Sequence, residues 1–244
     1  MQDDSSFSRP RFPPTRQSAV LGVASHDAAA RARSFDVLVR AYWKPVYAHI
    51  RTKWNRAPDK AQDLTQAFFA HAFEKRYFSD YDPAKARFRT YLRTCLDRFV
   101  MTEQRDAKRE KRGNGALHLS LDFPSAENEL RSLGVLGSSD TERCFDDAWT
   151  RHLLSVGVDQ LKRTCGEKDK EVAFRVFDRY VLSGEPRSYA DLASELAIPV
   201  TQVTNHLAWA RREFRRIVLD ELREITASDE EFRSEARALI GVDP

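Results

Sequence analysis

The sequence predicts an all-α fold: two small helical domains joined by a long linker. Two observations carry the prediction. Charged residues make up 32% of the 244 positions and glycine only 9 of them, a composition that suits helices with charged outer faces rather than sheets. Apolar residues recur at spacings of three and four along most of the chain, the period of a helix with one buried side. The hydrophobic share of 41% suffices for a core, and the length allows one large domain or two small ones.

Each element has its own signal. Residues 1–26 read as an N-terminal arm, polar through Arg16 and carrying Pro10, Pro13 and Pro14, a pattern of disorder or loose docking. A first domain spans 27–112. Its first helix places Phe35, Leu38, Val39, Tyr42, Val46 and Ile50 on one side, with Pro45 at a start or kink and Asn55 to Pro58 ending it. Asp59 is an N-cap candidate for a second helix through Leu64, Phe68, Phe69, Ala72 and Phe73. The loop Tyr77 to Ala84 leads to a third helix that turns Phe88, Tyr91, Leu92, Cys95, Leu96 and Phe99 inward and runs out into the charges of Arg105 to Arg112. Residues 113–140, with Gly113, Gly115, Pro124, Gly134 and Gly137, show no sustained period and read as a linker. A second domain, 141–224, begins with Trp149, Leu153, Leu154 and Leu161 and continues through Val172, Phe174, Val176, Phe177 and Tyr180. The extension 225–244 holds an amphipathic helix, Asp229 to Ile240. Phe232, Ala236, Leu239 and Ile240 form its apolar stripe, with Asp229, Glu230, Glu231 and Glu235 opposite. That stripe needs a cover: either the tail completes the second domain's core, or it is an autoinhibitory element whose acids compete with DNA for Arg211, Arg215 and Arg216.

The most informative stretch is Ser188 to Phe214. One short helix buries Leu192, Ala193 and Leu196. Ala197-Ile198-Pro199 breaks the pattern, and a second helix buries Val203, Leu207, Ala210 and Phe214, as in a helix-turn-helix. Thr201, Gln202, Thr204, Asn205 and His206 remain on the free side, side chains of a size to reach base edges. Arg211, Arg212, Arg215 and Arg216 follow where phosphates would lie. The whole-chain net charge is only +3, so distribution, not total, points to nucleic acid: from Lys85 to Arg112 basic residues greatly outnumber acidic ones.

Other chemistries find little support. Cys95, Cys144 and Cys165 lack CxxC spacing, so neither a disulfide framework nor a zinc site is expected. The sequence has no phosphate-binding glycine loop, no HExxH and no Gly-x-Ser-x-Gly, and its histidines are scattered, with His49, His71 and His152 expected on helix surfaces or edges. No catalytic residue, metal or cofactor is therefore assigned. The N-terminus has no apolar signal core, and a cytosolic protein without membrane association is expected.

Taken together, the pieces resemble a bacterial sigma factor of the extracytoplasmic-function group, the specificity subunit of RNA polymerase, over most of the chain. Asp59 to Phe69 resembles the family helix that grips the polymerase clamp, which implies a polymerase contact through Gln62, Asp63, Leu64, Gln66 and Phe69. Ala84 to Arg93 resembles the promoter-opening segment. The resemblance implies that Tyr77, Phe78, Tyr81, Phe88 and Tyr91, with Arg87, Arg89 and Arg93, capture the opened minus-ten strand. Aromatic faces and arginines are what unstacked bases and a strand backbone need. Ser188 to Phe214 resembles the minus-thirty-five reader, implying contacts from Thr201, Gln202, Thr204, Asn205, His206, Arg211, Arg212 and Arg215. Phe12 to Arg16, Asp63-Leu-Thr-Gln66, Lys111-Arg-Gly113 before Leu119-Ser-Leu-Asp122, and the C-terminal extension are similar to a subgroup abundant in planctomycetes. The chain departs from the pattern at Ala67, where relatives often carry Glu, at Gln17, where that subgroup has Trp, and at Thr204 to His206, where basic residues are usual. Core RNA polymerase and promoter DNA are the implied partners, and an anti-sigma or other regulatory protein is a further one. The rival readings are an ordinary helix-turn-helix transcriptional regulator, which needs no polymerase-binding helix, and an enzyme.

Overall fold

Local capping sets most of the helix starts in the computed structural model, which describes residues 18–106, 120–136 and 140–241. The described residues contain helices and turns and no strand, so the fold is all-α. After a single turn, α1 (Ala19–Gly22), the long helix α2 (Ala28–Thr52) begins where the Asp27 carboxylate accepts the N–H groups of Ala29 and Ala30, both at 3.1 Å. It continues through Pro45, which sits inside the helix rather than at its start. The next helix, α3 (Pro58–Glu74), starts one residue before the expected cap. Proline occupies its first position, where no N–H is needed, and Asp59 lies in the first turn. A single 3-10 turn, Tyr77–Asp80, leads toward α4 (Phe88–Asp106).

The stretch expected as a linker contains a helix, α5 (Phe123–Ser132), capped by Asp122 on Ser125 N–H at 3.1 Å with Pro124 in its first turn. Helix α6 (Thr141–Glu167), capped by Asp140, is followed by α7 (Glu171–Phe177) and one π turn, Asp178–Leu182. Helices α8 (Tyr189–Leu196), α9 (Val200–Glu224) and α10 (Asp229–Ile240) complete the described chain. Among the described residues, no helix is long and apolar enough to cross a membrane. Residues 1–17, the glycines and basic residues of 107–119, Gly137 and residues 242–244, for which the sequence also gives expectations, lie outside the described residues.

Two apolar clusters organise these helices, and their membership does not follow chain order. The larger gathers α1 to α4 and adds Phe123, Ala126 and Leu130 of α5, Phe145, Ala148, Trp149 and Leu153 of α6, Leu222 of α9, Ile225, and Phe232 and Ala236 of α10. The smaller is built from Leu161 and Cys165 at the far end of α6 with α7, α8 and the first two-thirds of α9. Helices α6 and α9 thus contribute to both clusters. Their crossing is close: a Cβ on Gly157 would stand 2.9 Å from Val218 Cγ2 and 3.1 Å from Phe214 Cε2. Trp149 and Leu153, read from the sequence as second-domain core, belong to the larger cluster. The tail helix is likewise covered by the larger cluster and not by the helix-turn-helix.

Ionic groups tie the larger cluster together. Glu127 of α5, buried, accepts from Arg51 Nε and Nη2, both at 2.7 Å, from Tyr47 Oη at 2.8 Å and from Arg131 Nε at 3.2 Å. These donors, the Arg51 guanidinium first, bring its carboxyl down to about 2 despite burial. His49 and His152 are buried rather than on the surface. His49 Nε2 lies 2.9 Å from Asp97 Oδ1, and His152 Nε2 lies 2.6 Å from the Arg40 carbonyl. Burial alone would raise the Asp97 carboxyl, but hydrogen bonds from His49 and Lys53 lower it to about 2.

Candidate nucleic-acid interface

The helix-turn-helix is built from short-range rules. Ser188 caps α8 in a reciprocal box: Asp191 N–H donates to Ser188 Oγ at 3.1 Å, and Ser188 N–H donates to Asp191 Oδ2 at 3.0 Å. Ala197 ends the helix in the left-handed region, φ 53°, and Pro199 fixes the entry to α9. Leu192 and Ala193 then pack with Val203, Leu207 and Ala210, all buried, while Leu196 and Phe214 are half-buried at the margin, Phe214 against Phe177 at 5.3 Å.

That packing leaves one side of α9 in solvent. Thr201, Gln202, Thr204 and Asn205 are exposed, as are Arg211, Arg212, Arg215 and Arg216. Among the described residues, the side chains of Gln202, Asn205, Arg212 and Arg215 have no hydrogen-bond or ion-pair partner, so no side-chain bond has to break before they meet a ligand. Arg211 lies over the Tyr180 ring at 5.4 Å. Arg216 is different, since it pairs with Glu213 at 2.9 Å and Asp220 at 2.6 Å. His206 is half-buried, and burial with Lys170 nearby holds its imidazole below the usual value, so it is neutral at pH 7 and reads as a hydrogen-bonding group rather than a charge.

On α3 the expected partner-binding set divides. Asp63 is exposed and Gln62 and Gln66 are half-buried, whereas Leu64 and Phe69 are core residues at 3% and 0% exposure. Phe69 packs edge-on against Phe35 at 6.3 Å and Phe68 at 5.3 Å. Leu64 and Phe69 therefore hold the helix in place, and any partner contact on α3 falls to Gln62, Asp63 and Gln66.

The third expected set surrounds the start of α4. Phe78 and Phe88 are buried and interlocked with Phe35, Tyr42 and Tyr81 at ring distances of 6.0, 5.5, 5.3 and 5.2 Å across the cluster, so neither offers a face to a base. Tyr81 Oη donates to the Ala86 carbonyl at 2.8 Å, and Tyr91 Oη donates to the Tyr77 carbonyl at 2.7 Å. Burial pushes the Tyr91 phenol up to about 12. Tyr77 and Tyr91 also line an open groove of about 510 Å³ with His71, Arg98, Phe99 and Glu103. The arginines are engaged. Arg87 Nη1 donates to Glu235 Oε1 at 3.0 Å, and Arg89 Nη1 lies 3.2 Å from Glu235 Oε2 and its Nε 3.5 Å from Asp146 Oδ1. Arg93 Nη2 donates to Glu142 Oε1 at 2.9 Å.

The sequence did not single out Glu231, Glu235, Glu142, Asp146 or Trp149 as neighbours of this surface. The acidic side of the tail helix is readable in the sequence, with Arg211, Arg215 and Arg216 as its alternative partners; Glu235 is instead buried against Arg87 and Arg89. Comparison with family models, with curated proteins and with solved structures gives no match.

Proposed function

We propose that this protein is a promoter-directing factor of the sigma type, binding core RNA polymerase through α3 and double-stranded promoter DNA through α9. The observation that carries the reading is the free side of α9. Hydrogen-bonding side chains at its N-terminal end, Gln202 and Asn205, precede unpaired Arg212 and Arg215 on one rigid helix whose other side is locked to α8. A recognition helix needs that order: amide groups suited to adenine edges where the helix enters the groove, and guanidinium groups for phosphates further along. The outward Asp63 and Gln66, one turn apart on α3, supply a polar contact for a basic partner helix. The groove lined by Tyr77 and Tyr91 supplies aromatic edges beside Arg98 where an unpaired base can lodge.

The test is co-purification with core RNA polymerase. The wild-type chain is retained by core, and Asp63→Ala weakens retention while leaving the melting temperature unchanged. DNA binding without any core binding would instead assign the chain to ordinary helix-turn-helix regulators.

A further inference from the structure

The arginines that the sequence resemblance assigns to an opened DNA strand, Arg87, Arg89 and Arg93 at the start of α4, are already engaged by carboxylates of the same chain. Glu235 of α10, 3% exposed, bridges Arg87 and Arg89 with its two oxygens, and Ser234 Oγ accepts a further bond from Arg87 Nη2 at 3.0 Å. Glu231, one turn earlier, accepts the backbone N–H of Phe88 at 3.0 Å, the first residue of α4. At that helix start the N–H groups have no partner within the helix and the dipole favours an anion. On the other flank, Asp146 reaches Arg89 and Glu142 reaches Arg93 from the first turns of α6. The Arg89 guanidinium also lies over the Trp149 ring at 4.8 Å.

The negative oxygens thus follow α4 from its N-terminus through Arg87, Arg89 and Arg93, a path of the kind that phosphate oxygens of a nucleic-acid strand take along a basic helix. Toward α9 and the core, α10 is held by buried Phe232 and Ala236, by Leu239, and by Arg223, which pairs with Asp229 at 3.2 Å and lies over the Phe232 ring at 3.9 Å. Toward the start of α4 its polar contacts are the carboxylates of Glu231 and Glu235 and the Ser234 hydroxyl.

We propose that α10, assisted by the start of α6, is a built-in competitor that occupies the strand-binding surface of α4 with carboxylates in place of phosphates, so that single-stranded DNA binds there only when α10 lifts. The proposal rests on the promoter reading above and adds its regulation: the free chain is closed, and engagement with polymerase or an opened strand releases it.

The test uses the full-length chain and its Glu231→Gln/Glu235→Gln variant, each titrated with a fluorescent single-stranded oligonucleotide of minus-ten-like sequence and, separately, with a duplex carrying the site of α9. The expected result is about tenfold tighter binding of the single strand by the variant, the factor by which a closed state present at ten to one lowers apparent affinity, with duplex affinity unchanged. Equal single-strand affinities overturn the lock while leaving the promoter reading in place. Failure of both proteins to bind either DNA overturns the promoter reading, and the lock with it. If the buried position of Glu235 makes the variant unfold, amide exchange on the wild-type chain decides. Residues 229–240 lose protection when saturating single strand is added if α10 lifts, and unchanged protection in the bound state overturns the proposal.

Discussion

Replacing Glu127 by Gln probes whether α5 belongs to the core that positions the α3 and α4 surfaces. The carboxylate takes four donor contacts from three residues, its side chain is 9% exposed, and its carboxyl is held at about 2 against an ordinary 4.5. At 1.36 kcal/mol per unit, a shift of that size corresponds to about 3 kcal/mol of stability at neutral pH. Buried pairs that lose one partner show the same scale, about 3–5 kcal/mol, because the remaining charge is left uncompensated. The sign follows from a folded value below the unfolded one. The contribution is present in full above the unfolded value of 4.5 and is lost progressively as pH falls from there toward 2. Denaturant titrations of wild type and Glu127→Gln should therefore differ by about 3 kcal/mol at neutral pH and by about 1 kcal/mol at pH 3, converging only as the pH falls to about 2 and below. A difference below about 1 kcal/mol, or one that stays constant through the acid range, would refute the reasoning.

Further expectations concern α3, α9 and the α6–α9 crossing. Leu64→Ala should cost about 2–5 kcal/mol in a denaturant melt, whereas Asp63→Ala should cost no more than about 0.5 kcal/mol, since one side chain is core and the other is in solvent. Asn205→Ala should relax base preference at one or two positions in a binding-site selection, a loss of about 1–3 kcal/mol against the preferred base. Arg212→Ala should weaken binding to all sequences alike and reduce the slope of affinity against salt by about one. Gly157→Leu should destabilise the chain by about 1–3 kcal/mol or more, because even a single carbon there meets Val218 within 2.9 Å, and thermal melting checks it.

Much of the secondary structure was legible because its signals are local. Asp27, Ser188 with Asp191, and Ser228 announce helix starts within a few residues, and the tail helix runs over the range its stripe predicts, Asp229–Ile240. The helix-turn-helix was readable for the same reason, since Ala197 and Pro199 interrupt two regular apolar patterns. Helix α5 was hidden because Pro124 and the glycines around it look like loop, although proline in a first turn is compatible with a helix and Phe123, Ala126, Glu127 and Leu130 share one side. Glu127 and Glu235 sit on inward positions that polar character disguises; each is buried only because arginines from elements 76 and 148 residues away meet it. Sequence spacing carries no information about such distant partners. That Leu64 and Phe69, expected on a partner surface, are buried has a simpler reason. A motif marks a helix without marking its sides, whereas the apolar spacing of Leu64, Phe68, Phe69 and Ala72 does.

Run-off transcription with purified core RNA polymerase tests the central claim most directly. With a fragment library of genomic promoters, adding this protein to core should yield discrete transcripts that core alone does not make, and the double variant Asn205→Ala/Arg212→Ala should lose them. No promoter-specific transcript in the presence of the folded wild-type chain would contradict the account.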